Sequence, residues 1–504
     1  MSGGGSINAA IKTGVSEDDT TDKQLVIASE RNRRRKEKIL KRKRKIIDTA
    51  SIPGSRSISP IVADISHLDR YIEALRSDIW EERIDGAKHI RKLLSQNNPQ
   101  IVDTVIATGV VPIFVKYLSF NELPKLQVES AWALTNISSG TAEQTVAVVR
   151  AGAIPPLLDL LECGVFEVAE QAVWAIGNIA GDNDDYRKMI LELDGFSRII
   201  EFATKNQGIK SAVRNCVWCL SNLCRNQQRV EGMFCHIRPH LEFLSQLMRY
   251  NDEEIVADVC WAFSFLTESS NEQKKEIIPF VDPPLLMALI CTKNPRIQCP
   301  ALRIAGNIIS GEDNNDTQKM IDAGLVPILV ALMKSATDAR KKEILWIISN
   351  ITAGSTSQIN VVISYGFIPY LVGIVSWKDN PILFNDALFA LCNAINGGNA
   401  EQIRYITEKH VIQPFVRILQ ENPPRDIVRH ILVSIYRILK VGYGIKKNCQ
   451  LDENPYFDEF NDAGGVDIVM QIRSLGISEY SNVCDHLLKY CDLEEEMGEQ
   501  QLNI

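Results

Sequence analysis

Two markers recur along the chain at intervals of 42 to 44 residues, and that beat decides what the chain can fold into. Gly-apolar-apolar-Pro occurs at Gly109, Gly152, Gly324 and Gly366, separated by 43, 172 (four times 43) and 42 residues. Trp132, Trp174, Trp218, Trp261, Arg303, Trp346 and Phe389 keep the same spacing, at 42, 44, 43, 42, 43 and 43. A period of this length marks a helical solenoid, in which one repeat cannot bury its apolar face alone and neighbours stack into a continuous core.

Within one unit, QTVAVVRAG ends a short helix, with Gly152 where a left-handed cap is wanted. Pro155 falls in the opening turn of the next helix, where its missing N–H does no harm. FEVAEQAVWAIGNIAG then repeats apolar residues at i, i+3, i+4 and i+7 and stops at Gly181. Three helices per unit favour armadillo over two-helix repeats. The expected fold is all-α: a right-handed armadillo-repeat superhelical solenoid of about ten three-helix repeats, its last repeat preceded by an insertion near residues 444–455. Such stacking creates a long concave surface suited to binding.

The formal charge of −8 hides an uneven distribution. Between Arg31 and Lys45 eleven basic residues face one acid, Glu37, and subtracting that local +10 leaves −18 on the remainder. A basic arm joined to an acidic body can bind an acidic partner, fold back on the body, or do each in turn. The expected organisation is a disordered N-terminus over residues 1–30, a basic segment over 31–50, a linker over 51–66, the repeat array over 67–490 and an acidic tail over 491–504. Twelve cysteines scattered through helical segments, with no signal peptide ahead of them, suit the cytoplasm or nucleus. No apolar run is long enough to cross a bilayer, so no membrane insertion is expected.

The tryptophans have partners. Trp132-x-x-x-Asn136, Trp174-x-x-x-Asn178, Trp218-x-x-x-Asn222 and Trp346-x-x-x-Asn350 place each indole one helical turn from a carboxamide on the same face. Stacked repeats turn these pairs into a ladder. Slots between indoles suit the aliphatic stem and cationic head of lysine or arginine. Each asparagine carries a donor and an acceptor and can bond an extended backbone whatever its sequence. Glu170 and Asp182 around Trp174, Glu254 and Asp258 before Trp261, and Glu343 before Trp346 supply negative charge. One such pair is most simply core packing, but four locked to the repeat period have no packing reason to carry Asn at a fixed offset.

Enzyme signatures are missing: there is no nucleophile elbow, P-loop or other cofactor fingerprint. Cys216-x-x-Cys219 straddles Trp218 in mid-helix and has no second pair suitably placed for zinc. The expectation is a non-catalytic protein without cofactor or metal.

WALTN, WAIGN and WCLSN, the joints AGAIPPLLDLL and IDAGLVPILVALM, and the arm RNRRRKEKILKRKRK together resemble the importin-alpha (karyopherin-alpha) family of nuclear localisation signal adaptors. The resemblance covers residues 67–490 and, more loosely, 31–45. It implies a major signal site using Trp132, Asn136, Trp174, Asn178, Trp218 and Asn222, with Glu170 as a flanking acid. Gly140, Thr145 and Asp182 match the family's pocket for the key signal lysine, and Trp261 bounds the far end. It implies a minor site of Arg303, Asn307, Trp346, Asn350 and Asn393, with Glu343 and Asp386 as acids. Phe389 stands where the family usually has Trp, which implies a weaker minor site; Phe265 replaces a common Tyr.

The arm, including Arg33, Arg34, Arg35, Lys41, Arg42, Lys43, Arg44 and Lys45, resembles the importin-beta-binding segment. Residues 41–45 have the form of a signal and are expected to inhibit the chain's own groove. The implied partners are signal-bearing cargo, importin-beta and the family's export receptor, with shuttling between cytoplasm and nucleus and no direct nucleic-acid binding. The competing readings are a catenin-like scaffold for acidic peptides and a helical-repeat RNA reader, and an acidic groove disfavours both.

Overall fold

The computed structural model of the chain describes residues 43–44, 63–96, 98–225, 232–377 and 380–490. Helices joined by turns and short irregular segments make up the described residues, with no strand among them. The chain divides into two units, one holding the described residues up to 282 together with 294–304, the other holding 283–293 and 305–490.

The repeat around Trp174 shows how local sequence builds the pattern. Its first helix, Ala142–Arg150, opens on a capping box in which Thr141 and Gln144 each satisfy the other's backbone N–H. Gly152 then turns the chain at φ 81°, a left-handed conformation costly for other residues. The second helix, Ile154–Asp159, carries Pro155 in its first turn. The third runs Phe166–Ala180. Gly109, Gly324 and Gly366 take the same left-handed turn in their own repeats.

Ten third helices are present: α1 Trp80–Ser95, α2 Pro124–Ser138, α3 Phe166–Ala180, α4 Lys210–Leu223, α5 Glu253–Leu266, α6 Pro295–Ile309, α7 Asp338–Thr352, α8 Pro381–Gly397, α9 Arg425–Cys449 and α10 Ser478–Lys489. In the first unit α1 packs on α2, α2 on α3, α3 on α4 and α4 on α5; in the second α7 packs on α8, α8 on α9 and α9 on α10. The buried layer runs through them, with Leu134, Ile137, Ile176, Ile179, Leu220 and Leu223 fully enclosed.

Two details differ from the simple pattern. Among the described residues the first repeat has two α-helices, Leu68–Arg76 and α1. Gly444 lies inside α9, which continues to Cys449, so half of the expected insertion is helix.

Glutamines tie neighbouring repeats together. Gln144 Nε2 donates to Asp103 Oδ1 at 2.7 Å, Gln358 Nε2 to the Asn314 carbonyl at 2.9 Å, and Gln402 Nε2 to the Thr356 carbonyl at 2.7 Å. Each therefore caps its own helix and grips the repeat before it.

Gly177 and Gly306 allow a different approach. A Cβ at Gly177 would clash with the six-membered ring of Trp218, and one at Gly306 with that of Trp346. Gly177→Ala is expected to destabilise the fold by about 1–3 kcal/mol through overpacking. Thermal melts of the variant, with near-ultraviolet dichroism reporting Trp218, check this; an unchanged melting temperature would contradict the close packing.

Candidate peptide-binding site

Trp132, Trp174, Trp218 and Trp261 lie on α2, α3, α4 and α5, one per repeat. Trp132, Trp174 and Trp261 are half-buried, and Trp218 is buried. The asparagine one turn beyond each of the first three is buried and tethered through its amide nitrogen. Asn136 Nδ2 donates to Ser95 Oγ at 3.0 Å, Asn178 Nδ2 to the Thr135 carbonyl at 3.1 Å, and Asn222 Nδ2 to the Gly177 carbonyl at 3.0 Å. Among the described residues the oxygen of Asn136 has no partner. An acceptor in that condition is costly unless something comes to meet it.

At Asn178 something does. Its Oδ1 accepts the Arg44 backbone N–H at 2.9 Å, and its Nδ2 donates to the Arg44 carbonyl at 2.9 Å. The carboxamide thus holds one residue of the chain's own arm by both backbone groups, independent of side chain.

The side chains of that arm segment add the charge. Lys43 Nζ pairs with Asp182 Oδ1 at 2.7 Å and donates to Thr145 Oγ1 at 2.7 Å and to the Gly140 carbonyl at 3.1 Å. Both charged side chains are almost wholly enclosed, at 7% and 2% exposure, so the ammonium has exchanged water for three oxygens of the pocket. Thr145 can accept because its own hydroxyl proton is directed to the Thr141 or Ser138 carbonyl. Gly140 has no Cβ because Gln144 folds over it in the capping box. Arg44 lies 4.7 Å from the Trp218 ring centroid and pairs with Asp258 Oδ2 at 2.9 Å. Glu254, Ala257 and Arg296 complete that pocket.

Of the arm residues singled out in the sequence, Lys43 and Arg44 therefore meet the residues proposed for the lysine pocket and the ladder. Arg33, Arg34, Arg35, Lys41, Arg42 and Lys45 lie outside the described residues.

Glu170 faces α4, accepting from Asn215 Nδ2 at 3.3 Å. Burial pushes its carboxyl above the usual glutamate range, partly offset by hydrogen bonds from Ser211 and Asn215. Trp261 sits 5.7 Å from Phe265, and Arg225 covers the Phe265 ring at 5.5 Å. Cys216 and Cys219 are both buried within α4, and burial pushes their thiols well above the ordinary range, the opposite of what a thiolate ligand or nucleophile needs.

In the second unit Glu343, Trp346 and Asn350 lie on α7 and Asp386 and Asn393 on α8, with Asn307 on the last turn of α6. Trp346 packs against Gly306. Asn350 Nδ2 donates to the Trp346 carbonyl and Asn393 Nδ2 to the Ser349 carbonyl, each at 3.0 Å, and among the described residues the amide oxygens of both have no partner. This repeats the arrangement of Asn136. Phe389 meets His430 edge-on at 5.2 Å. Arg303 lies on the part of α6 that belongs to the first unit.

Three participants were not singled out in the sequence. Gly177 and Gly306 stand three residues beyond a ladder position, a spacing visible in WAIGN and in RIAGN. Arg91 is the third: its guanidinium carbon lies 4.0 Å from the Trp132 ring centroid and its Nε donates to Glu129 Oε2 at 2.8 Å.

The Armadillo/beta-catenin-like repeat model matches residues 98–139, 141–181 and 313–353. A crystal structure of an engineered protein superimposes with a TM-score of 0.73 over 84% of this chain and 98% of that one, at 22% identity, which speaks to the fold alone. Importin subunit alpha-1b of Oryza sativa subsp. japonica is 35% identical over 87% of this chain and 82% of its own length. Importin subunit alpha-1a of the same plant is 35% identical over 92% and 88%. Importin subunit alpha-4 of Arabidopsis thaliana is 34% identical over 96% and 91%. With the ladder, the repeats and these relatives in agreement along nearly the whole sequence, the chain belongs to the importin-alpha family of armadillo-repeat, non-catalytic adaptors in nuclear import.

Proposed function

We propose that the chain binds lysine- and arginine-rich nuclear localisation signals of cargo proteins in extended form along α2 to α5, and joins them to importin-beta through its basic arm. The observation that carries this reading is the capture of Lys43 and Arg44. A lysine enters a pocket of one carboxylate, one hydroxyl and one carbonyl, while the next residue is held through its backbone by Asn178. A cargo signal presents the same groups and takes the same place. Trp132, Asn136, Trp174, Asn178, Trp218, Asn222 and Trp261 line the major site, Gly140, Thr145 and Asp182 receive the key lysine, and Glu170 lends charge.

Within the second unit Asn307, Glu343, Trp346, Asn350, Asp386 and Asn393 support a minor site. The shorter Phe389 wall weakens it. Lys43 and Arg44 act as an internal competitor, released when importin-beta takes the arm, so that the cycle runs between cytoplasm and nucleus. An export receptor returns the chain through its C-terminal repeat.

The test titrates the full chain carrying Lys43→Ala and Arg44→Ala with a fluorescent Lys-Lys-Lys-Arg-Lys peptide, an acidic peptide and single-stranded RNA. Binding of the basic peptide that weakens with salt is expected. Preference for the acidic peptide would favour a catenin-like scaffold, and preference for RNA a nucleic-acid reader; either overturns the reading. Retention of the wild-type chain on immobilised importin-beta, lost without residues 31–45, tests the second half.

A further inference from the structure

The indole ladder has a rung before its first tryptophan. Arg91-x-x-x-Ser95 precedes Trp132-x-x-x-Asn136 by 41 residues, and Asn136 Nδ2 donates to Ser95 Oγ, so the two pairs stand in register on α1 and α2. Three residues before rungs two to five come Glu129, Gln171, Asn215 and Asp258, of which the first and last are acids. At Asp258 the carboxylate and an indole together hold a guanidinium, that of Arg44. At Glu129 the same pair of groups holds another, that of Arg91, at 2.8 Å from the carboxylate and 4.0 Å from the Trp132 ring centroid. The two sites are alike in chemistry and differ in where the cation comes from. At one end it arrives on the peptide-like arm, and at the other the repeat array supplies it.

We propose that Arg91 is a built-in occupant of the first cation slot and sets the specificity of that end of the groove. It takes the place an incoming lysine or arginine would fill, so the stretch that reads positive charge ends at Trp132. One carboxylate cannot neutralise two guanidinium groups, and a second cation entering beside Arg91 would meet like charge in a poorly hydrated place. The residue of a bound peptide that reaches this slot is therefore uncharged or acidic. Arg91 is 4% exposed, so it acts as a fixed part of the wall. This inference rests on the groove binding basic peptides.

The experiment uses the full chain with Lys43→Ala and Arg44→Ala as parent, and the same chain with Arg91→Ala or Arg91→Met added. Each is titrated with the Lys-Lys-Lys-Arg-Lys core flanked by alanines, and with peptides in which one arginine is walked through the flanks on both sides. Removing Arg91 frees Trp132 and Glu129 for a cation from the ligand. One flank position should then gain about 5- to 10-fold in affinity in the Arg91 variants, a gain the parent does not show and Glu129→Gln abolishes. Arg91→Met keeps the side chain's bulk should alanine loosen the repeat, and thermal melts of parent and variants show whether the repeat stays folded. Identical flank increments in parent and both variants would overturn the proposal and leave the basic-peptide reading standing. Failure of the parent to bind the core at all would remove that reading and this inference with it.

Discussion

Replacing Asp182 with alanine in the chain whose arm carries Lys43→Ala and Arg44→Ala should weaken a lysine-centred signal peptide by about 100-fold or more. The Asp182 carboxylate is 2% exposed in its ion pair with Lys43, and an ammonium arriving in that pocket is stripped of water on nearly every side. Without the carboxylate, the pocket keeps the Thr145 hydroxyl and the Gly140 carbonyl but no longer supplies that negative charge. Breaking one side of a buried pair costs ~3–5 kcal/mol, because the surviving charge stays enclosed. Fluorescence anisotropy gives the affinity, and a companion titration with a peptide whose lysine is replaced by alanine should show no further loss. A drop of less than fivefold would mean that the pocket is not where binding free energy is concentrated.

Lys43→Ala alone should move the same measurement the other way. In the wild-type chain the arm is tethered to the body, so it competes at an effective concentration on the order of millimolar. Removing Lys43 abolishes three contacts in the deepest pocket while leaving that pocket ready for cargo. Apparent cargo affinity should rise roughly 10-fold or more at fixed salt. Arg44→Ala should give a smaller rise, since Arg44 is 34% exposed and its ion pair is partly solvated. Isothermal titration of the three full-length chains with one cargo peptide checks the order. No change in Lys43→Ala would mean that the arm leaves the groove too readily to compete.

How far the sequence foretold this site varies by residue, for physical reasons. The Gly-x-x-Pro joints and the Trp/Asn pairs were legible because the repeat imposes one local geometry again and again, so period and residue type point the same way. The lysine pocket was legible through resemblance, but its occupant was not. Five consecutive basic residues, Lys41 to Lys45, present almost equal charge; which one enters depends on the depth of the cleft at Asp182, a three-dimensional property. Arg91 was invisible for another reason. An arginine in α1 followed by Lys92 reads as a solvated residue until Glu129, 38 positions on, is brought beside it, and neither has an unusual neighbour in the string. Gly177 looked like one more helical glycine because the ring that fills its missing Cβ comes from the next repeat.

The double grip of Asn178 on Arg44 has a wider consequence. Carboxamides that recur on α2, α3 and α4 and read no side chain behave like the evenly cut teeth of a rack: taken alone, they would let a ligand settle one step up or down with little penalty. The notch at Asp182 opposes that slippage. Thr145 stands nine residues after Asn136, and the residue nine after Asn178 is Arg187, whose buried guanidinium donates to the Ala180 carbonyl and leaves no vacancy for a lysine there. On the proposed reading, the phase of a bound strand is thus indexed at the Asp182 pocket, and the Arg44 slot at Asp258 and the fixed cation of Arg91 constrain its neighbours.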